Sequence, residues 1–185
     1  GRDSTATDSA GVALGFASLS TGTYSVAAGG YAEALGDGAI AIGGDGRDGS
    51  FVGARAQGYG AVSIGVDSAS TGGSSVALGA DAVSTAVQAT ALGDTADADT
   101  AQATAVGASA NANGNDSTAI GALSDATDDG ATALGYFSKA NGVRSIAIGD
   151  SNNTNADGSI IIGADVSVRA GAVNAIVVGT EADAD

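Results

Sequence analysis

The sequence predicts an all-β solenoid of about thirteen short coils, and three observations predict it. First, an apolar pentad ending in glycine returns every fourteen residues from Ser75-Val-Ala-Leu-Gly79 to Ser159-Ile-Ile-Ile-Gly163. A fixed period of this kind marks stacked repeats rather than a globule. Second, apolar residues alternate within each pentad, which is the period of a strand. Third, glycine supplies 31 of 185 residues, aromatics 4%, and Pro, Cys, Met, Trp and His are absent. With so few bulky side chains, apolar area can be buried only in a thin, regular structure. Disorder is the rival reading of such a composition, but disordered chains need no fixed apolar positions.

The period begins before this stretch. Units end at Gly15, Gly29 and Gly43, then the spacing shortens through Gly53 and Gly65. Fourteen-residue intervals resume from Gly65 to Gly163, and a last unit ends at Gly179. The chain reads as one repetitive domain over residues 1–185, with irregular coils at 44–65. It opens mid-pattern and reads as a piece of a longer protein.

With the pentad glycine as position 0, positions −3 and −1 are apolar or threonine: Val12 and Leu14, Val76 and Leu78, Ile146 and Ile148. Because they are the larger side chains, they are expected to face the coil interior. A second strand is expected at +2 to +5. Its +3 and +5 positions are small, as in Ala32 and Ala34 or Ala96 and Ala98. Its +2 and +4 positions are mixed and often charged, as in Tyr31 and Glu33. Turn residues such as Asn113-Gly114-Asn115 and Asn141-Gly142 close each coil.

Position −2 then falls on the outer face, yet none of its thirteen occupants is charged. A strand apolar on both faces is one buried on both sides. The expected cover is a second copy of the chain, since a repetitive stripe complements itself. The residues expected to meet it are Ala77, Ala91, Ala105, Ala119, Ala133, Ala147, Ile161 and Val177.

The pentad followed by x-x-Ala-x-Ala resembles the head repeat of YadA-like trimeric autotransporter adhesins, and the resemblance spans Gly11 to Ala184. It implies a left-handed parallel β-roll, assembled as a homotrimer. It implies display on a bacterial outer-membrane surface fibre, and attachment to an extracellular matrix protein, a cell or an abiotic surface by multivalent binding. No neck motif or heptad stalk follows Gly179, and the short units near Gly53 depart from the family spacing. A structural spacer without its own ligand, in a surface or phage fibre, is the alternative.

Catalysis has little to stand on, because without His or Cys the usual nucleophile–base pairs cannot be built. Carboxylate pairs such as Asp97/Asp99 and Asp128/Asp129 fall on wet faces or turns. A net charge of −15 disfavours nucleic acid and anionic lipid as partners. No apolar run reaches membrane length, so this segment is not expected to insert. Neither a cofactor nor a metal is expected. Gly44-Asp-Gly-Arg-Asp-Gly49 matches a phosphate-loop pattern and part of one calcium nonapeptide, but it lacks the strand–helix context of the first and the adjacent copies of the second. Asn153-x-Asn155-x-Asp157-Gly158 starts like an EF-hand loop, whose closing glutamate would fall on Ala164. Thr90, Thr104, Thr118 and Thr132 form a ladder of the kind that binds ice on flat solenoids; at −3 they are expected to point inward. Tyr31 and Phe137, exposed at +2, are the candidate ligand contacts.

Overall fold

The computed structural model describes residues 1–46, 49–181 and 183–184. The chain forms two compact units, Gly1–Thr95 and Ala96–Asp185. Both are parallel β-solenoids, about twelve coils in all, and among the described residues there is no helix.

Within each unit two kinds of strand alternate along the chain and pair only with their own kind. Strands of the pentad kind stack in register: Val12–Leu14 on Val26–Ala28, or Thr104–Val106 on Thr118–Ile120. Two-residue strands form the opposite wall: Leu19–Ser20 on Glu33–Ala34, or Asn111–Ala112 on Asp125–Ala126. The second strand is shorter than expected. It covers +4 and +5 alone, because +2 adopts a left-handed turn, as at Tyr31 (φ 59°), Asp81 (φ 52°) and Phe137 (φ 52°). A second left-handed residue stands at −5, as at Tyr24 (φ 58°), Gln88 (φ 59°) and Arg144 (φ 55°). Each such residue costs about 1 kcal/mol in an L-amino acid. Backbone bonds between coils offset it: Tyr31 N–H donates to Phe16 O at 2.8 Å and Gly38 N–H to Thr23 O at 2.8 Å.

The pentad glycine is required by space. At Gly79 (φ 144°) a Cβ would lie 2.1 Å from the carbonyl oxygen of Gly93 in the next coil. No side chain fits there without pushing the coils apart.

The interior is lined by positions −4, −2, +3 and +5. Their occupants are almost all alanine or serine, and they are fully buried: Ala103, Ala105, Ala110 and Ala112 in one coil, Ser75, Ala77, Ala82 and Ser84 in another. This reverses the expected phase of the pentad strand. Ala77, Ala91, Ala105, Ala119, Ala133, Ala147 and Ile161 point into the coil of their own chain and are fully buried in a single copy. Val177 is half-buried on the same inner side, against Ile161 and Val168. The seven fully buried residues therefore have no surface to offer a second copy, and Val177 lies on the same side of its strand. The physical reason is the narrow section of the coil. Two walls that each contribute alanine and serine leave no room for a row of Leu or Ile. The absence of charge at −2 reflects a core, not an interface.

The irregular segment is an excursion. Ile40–Ile42 pairs directly with Val62–Ile64, and Glu33–Ala34 with Arg55–Ala56. Gly43 and Gly65 are 22 residues apart, eight more than one period. The chain keeps the stacking pattern as far as Asp45, whose N–H donates to Gly30 O at 3.2 Å, and resumes it at Ala54, whose N–H donates to Gly43 O at 3.3 Å. The Gly49–Gly53 pentad is thus a loop and not a coil, and Phe51 in it is exposed. Arg47 and Asp48 lie outside the described residues, and so does the reading of Asp48 as an inward position.

Candidate interaction surfaces

Period-two alternation puts −3 and −1 opposite the alanines. The larger apolar side chains of the pentad therefore form the outer face. Leu14 is 65% exposed, Ile176 and Val178 are each 71% exposed, and Ile42, Leu78, Ile120, Leu134 and Ile162 are also exposed. Each unit carries this face on consecutive strands. The threonine ladder lies on it too. Thr104, Thr118 and Thr132 are in register and half-buried, facing out rather than in as expected. Monomeric proteins seldom expose contiguous apolar stripes of this kind.

The opposite wall is polar. Position +4 presents Glu33 beside Arg55, whose Nε lies 3.6 Å from Glu33 Oε2. In the second unit it presents Asp97, Asn111, Asp125, Lys139 and Asn153 on successive strands. Asn111 Nδ2 donates to Asp125 Oδ1 at 3.2 Å. Desolvation pushes the Asp97 carboxyl up to about 6, and the nearby Asp99 charge and hydrogen bond add to the rise. Asp125 is also raised, mainly by burial, against the opposing pull of Lys139 and Asn111. Within the carboxylate pair it is Asp97 that is perturbed, with Asp99 beside it.

Aromatic side chains collect at the corners. Tyr31 packs edge-on between Phe16 and Phe51, with ring centroids 5.4 and 5.5 Å away. It is half-buried rather than freely exposed. Phe137 is exposed beside Tyr136, and Lys139 Nζ lies 5.0 Å from the centre of its ring. These two candidates lie in different units. Sequence reasoning missed Tyr24 and Tyr59, which are 72% and 75% exposed. With Thr23, Asp37, Gly38 and Gly60 they line a groove of about 390 Å³. The spacing hid them, since only the direct pairing of Ile40–Ile42 with Val62–Ile64 makes their −6 and −5 positions those of three successive coils.

The metal-like motifs are engaged otherwise. Asn141 Nδ2 donates to Asn155 Oδ1 at 3.0 Å, and Val143 N–H to Asp157 Oδ1 at 3.0 Å. The oxygens that would open an EF-hand loop therefore link one coil to the next. In the excursion, Gly46 N–H donates to Asp67 Oδ2 at 3.1 Å. Among the described residues no three acidic side chains converge as a metal cage.

Comparison with curated proteins gives no match. Comparison with protein families does. The family described as YadA head domain repeat (2 copies) matches residues 20–45, 56–82, 84–110, 101–124, 112–138 and 140–165.

Proposed function

The chain belongs to the YadA head-repeat family, and on that premise we propose that it is the head of a homotrimeric adhesin displayed on a bacterial surface. The family is adhesive and surface-exposed, a structural kind of protein rather than an enzyme. One observation carries the reading of assembly: the exposed stripe of Val, Ile and Leu at −3 and −1. Fully burying one such side chain stabilises by about 1.5–3 kcal/mol, and the stripe repeats on nearly every coil. Three chains facing a common axis would bury it along its length. The proposed contact residues are therefore Val76, Leu78, Val106, Ile120, Leu134 and Ile146, in place of the inward alanines.

The polar +4 wall and the turns would then face outward. Their targets are a matrix protein, a cell or an abiotic surface, held by many weak contacts whose avidity exceeds any single one. Exposed aromatics such as Phe137 add apolar contact among the acidic residues.

Sedimentation equilibrium tests the assembly. The expected species at roughly micromolar concentration has three times the mass of the 17.2 kDa chain. Ile120→Glu with Leu134→Glu is expected to yield monomers, because charges would be buried without partners. A wild-type monomer would remove the assembly. Retention of coated beads on cell or matrix surfaces tests the adhesive role separately.

A further inference from the structure

We propose that the groove formed by Thr23, Tyr24, Asp37, Gly38, Tyr59 and Gly60 binds a neutral saccharide, two sugar rings at a time. Thr23-Tyr24, Asp37-Gly38 and Tyr59-Gly60 occupy the same turn positions in three successive coils. Backbone bonds hold them in step: Gly38 N–H to Thr23 O at 2.8 Å and Gly60 N–H to Asp37 O at 2.9 Å. Coils repeat at ~4.8 Å, so Tyr24 and Tyr59 stand ~10 Å apart along the stack. That span matches two linked pyranose rings.

The fold does not require the two glycines of the floor. Their φ values, 68° and 62°, are close to those of Ser74 (φ 55°) and Gln88 (φ 59°) at the same position in the following coils. A Cβ on Gly38 would come no nearer than 4.0 Å to Gly60 Cα, and one on Gly60 no nearer than 4.0 Å to Ser74 Oγ. The missing side chains leave open space between two exposed tyrosines. A volume of about 390 Å³ falls in the range of small-molecule sites.

The chemistry selects the occupant. Tyrosine rings offer flat apolar faces with a polar tip, which suits the C–H face and hydroxyl rim of a sugar. Asp37 Oδ1 accepts from Thr23 N–H at 2.9 Å. A carboxylate has about four acceptor sites, so further sites remain for hydroxyl donors. Thr23 Oγ1 is turned to Asp8 Oδ2, 3.2 Å away. The lining holds one carboxylate and no cation, on a chain of net charge −15, so acidic glycans are repelled. A proline-rich peptide also fits aromatic grooves, but its carbonyl acceptors would meet a carboxylate. The inference rests on the adhesive reading only in expecting an outside ligand. It needs no assembly, since all six residues belong to one chain.

The test is tyrosine fluorescence and calorimetric titration of the whole chain. The probes are tetrasaccharides of β-1,4-linked glucose, N-acetylglucosamine and mannose, with a hyaluronan tetrasaccharide and a proline decapeptide for contrast. At least one neutral tetrasaccharide is expected to bind. Tyr24→Ala and Tyr59→Ala are each expected to weaken it about tenfold. Gly60→Gln places in the groove a residue type that the fold already accepts at Gln88, and is expected to abolish binding while lowering the melting temperature by only about 2–4 °C for the added left-handed strain. The proposal is overturned by three results: no neutral tetrasaccharide binding at ~10 mM, binding that survives Gly60→Gln, or preference for hyaluronan or the proline peptide. A trimeric, adhesive chain that ignores all the sugars would remove the groove and leave the head. A monomeric, non-adhesive chain that binds one of them would do the reverse.

Discussion

The coils around Ser63–Ser75 and those from Ser145 to Val178 fill their narrow interiors by different means. In the first, serines tile the interior and bond across it. Ser63 and Ser68 hydroxyls lie 2.8 Å apart, Ser70 and Ser75 hydroxyls 2.6 Å apart, and Ser75 Oγ also donates to Gly72 O at 2.7 Å. In the second, Ile161, Val166 and Val168 are fully buried, joined by the Thr154–Ser159 hydroxyl pair. The pentad strands there lengthen to five residues, Ile146–Asp150, Ile160–Ala164 and Ile176–Thr180, paired through their glycines. Asn152 takes the +3 position and donates to both Ile148 O and Gly163 O at 2.8 Å, while its Oδ1 accepts from Val166 N–H at 3.1 Å. A solenoid of this gauge therefore accepts a polar or an apolar filling, and in these two sets of coils the buried hydroxyls and amides find partners, whereas Ser117 Oγ elsewhere has none. What it does not accept is bulk that its own coil lacks room for.

A reciprocal exchange would break that comparison most sharply. Ala105→Ile puts the C-terminal filling into an alanine coil, where Ala103, Ala110 and Ala112 are also fully buried. Overpacking with no alternative exit should cost more than about 3 kcal/mol, read as the loss of the cooperative thermal transition. Ile161→Ala makes the opposite change and should cost about 2 kcal/mol, the low end for such truncations, read from denaturant unfolding. The low end is expected because most coils already carry alanine at −2 and close around it. Equal costs for the two variants would show that the coils share one section.

The smallest effect concerns the polar wall. Asp97 stands at about 6, above its ordinary 3.8. With a raised folded value, the neutral carboxyl is the form that the fold favours. The penalty of ionising it is absent below about 3.8, grows through the interval and is complete above about 6. Asp99 is the charged group beside it; Asp125 lies two strands along the same wall and shifts in the same direction, with Lys139 on the strand beyond. The melting temperature should therefore rise as pH falls from about 7.5 to about 5. Asp97→Asn should raise stability at the higher pH and flatten this slope. A slope unchanged in that variant would assign the effect to general charge repulsion.

Much of this was legible in advance. The fourteen-residue return located every regular pentad strand, and the small +3 and +5 residues marked the inner side of the second wall. The shortening after Gly43 marked the excursion, although its pentad-like Gly49–Gly53 passed for a coil. The turn positions were harder to read. Left-handed residues at +2 and −5 include Tyr, Phe, Leu and Arg, none of which signals positive φ by type. Tyr24 and Tyr59 are 35 residues apart in the chain, and only the eight-residue excursion between them makes that distance two coils.

The sequence by itself determined the period, the strands and their alternation, because glycine spacing and side-chain size repeat on a fixed grid. Which phase of that alternation turns inward was decided by the tertiary structure. Alternation is symmetric, and large residues at −3 and −1 read equally well as core or as exposed stripe. Closing two walls into so thin a coil breaks the symmetry: along most of the stack alanine and serine fill the space between them, the coils around Ile161 and Val168 being the exception, and the larger side chains at −3 and −1 are left outside.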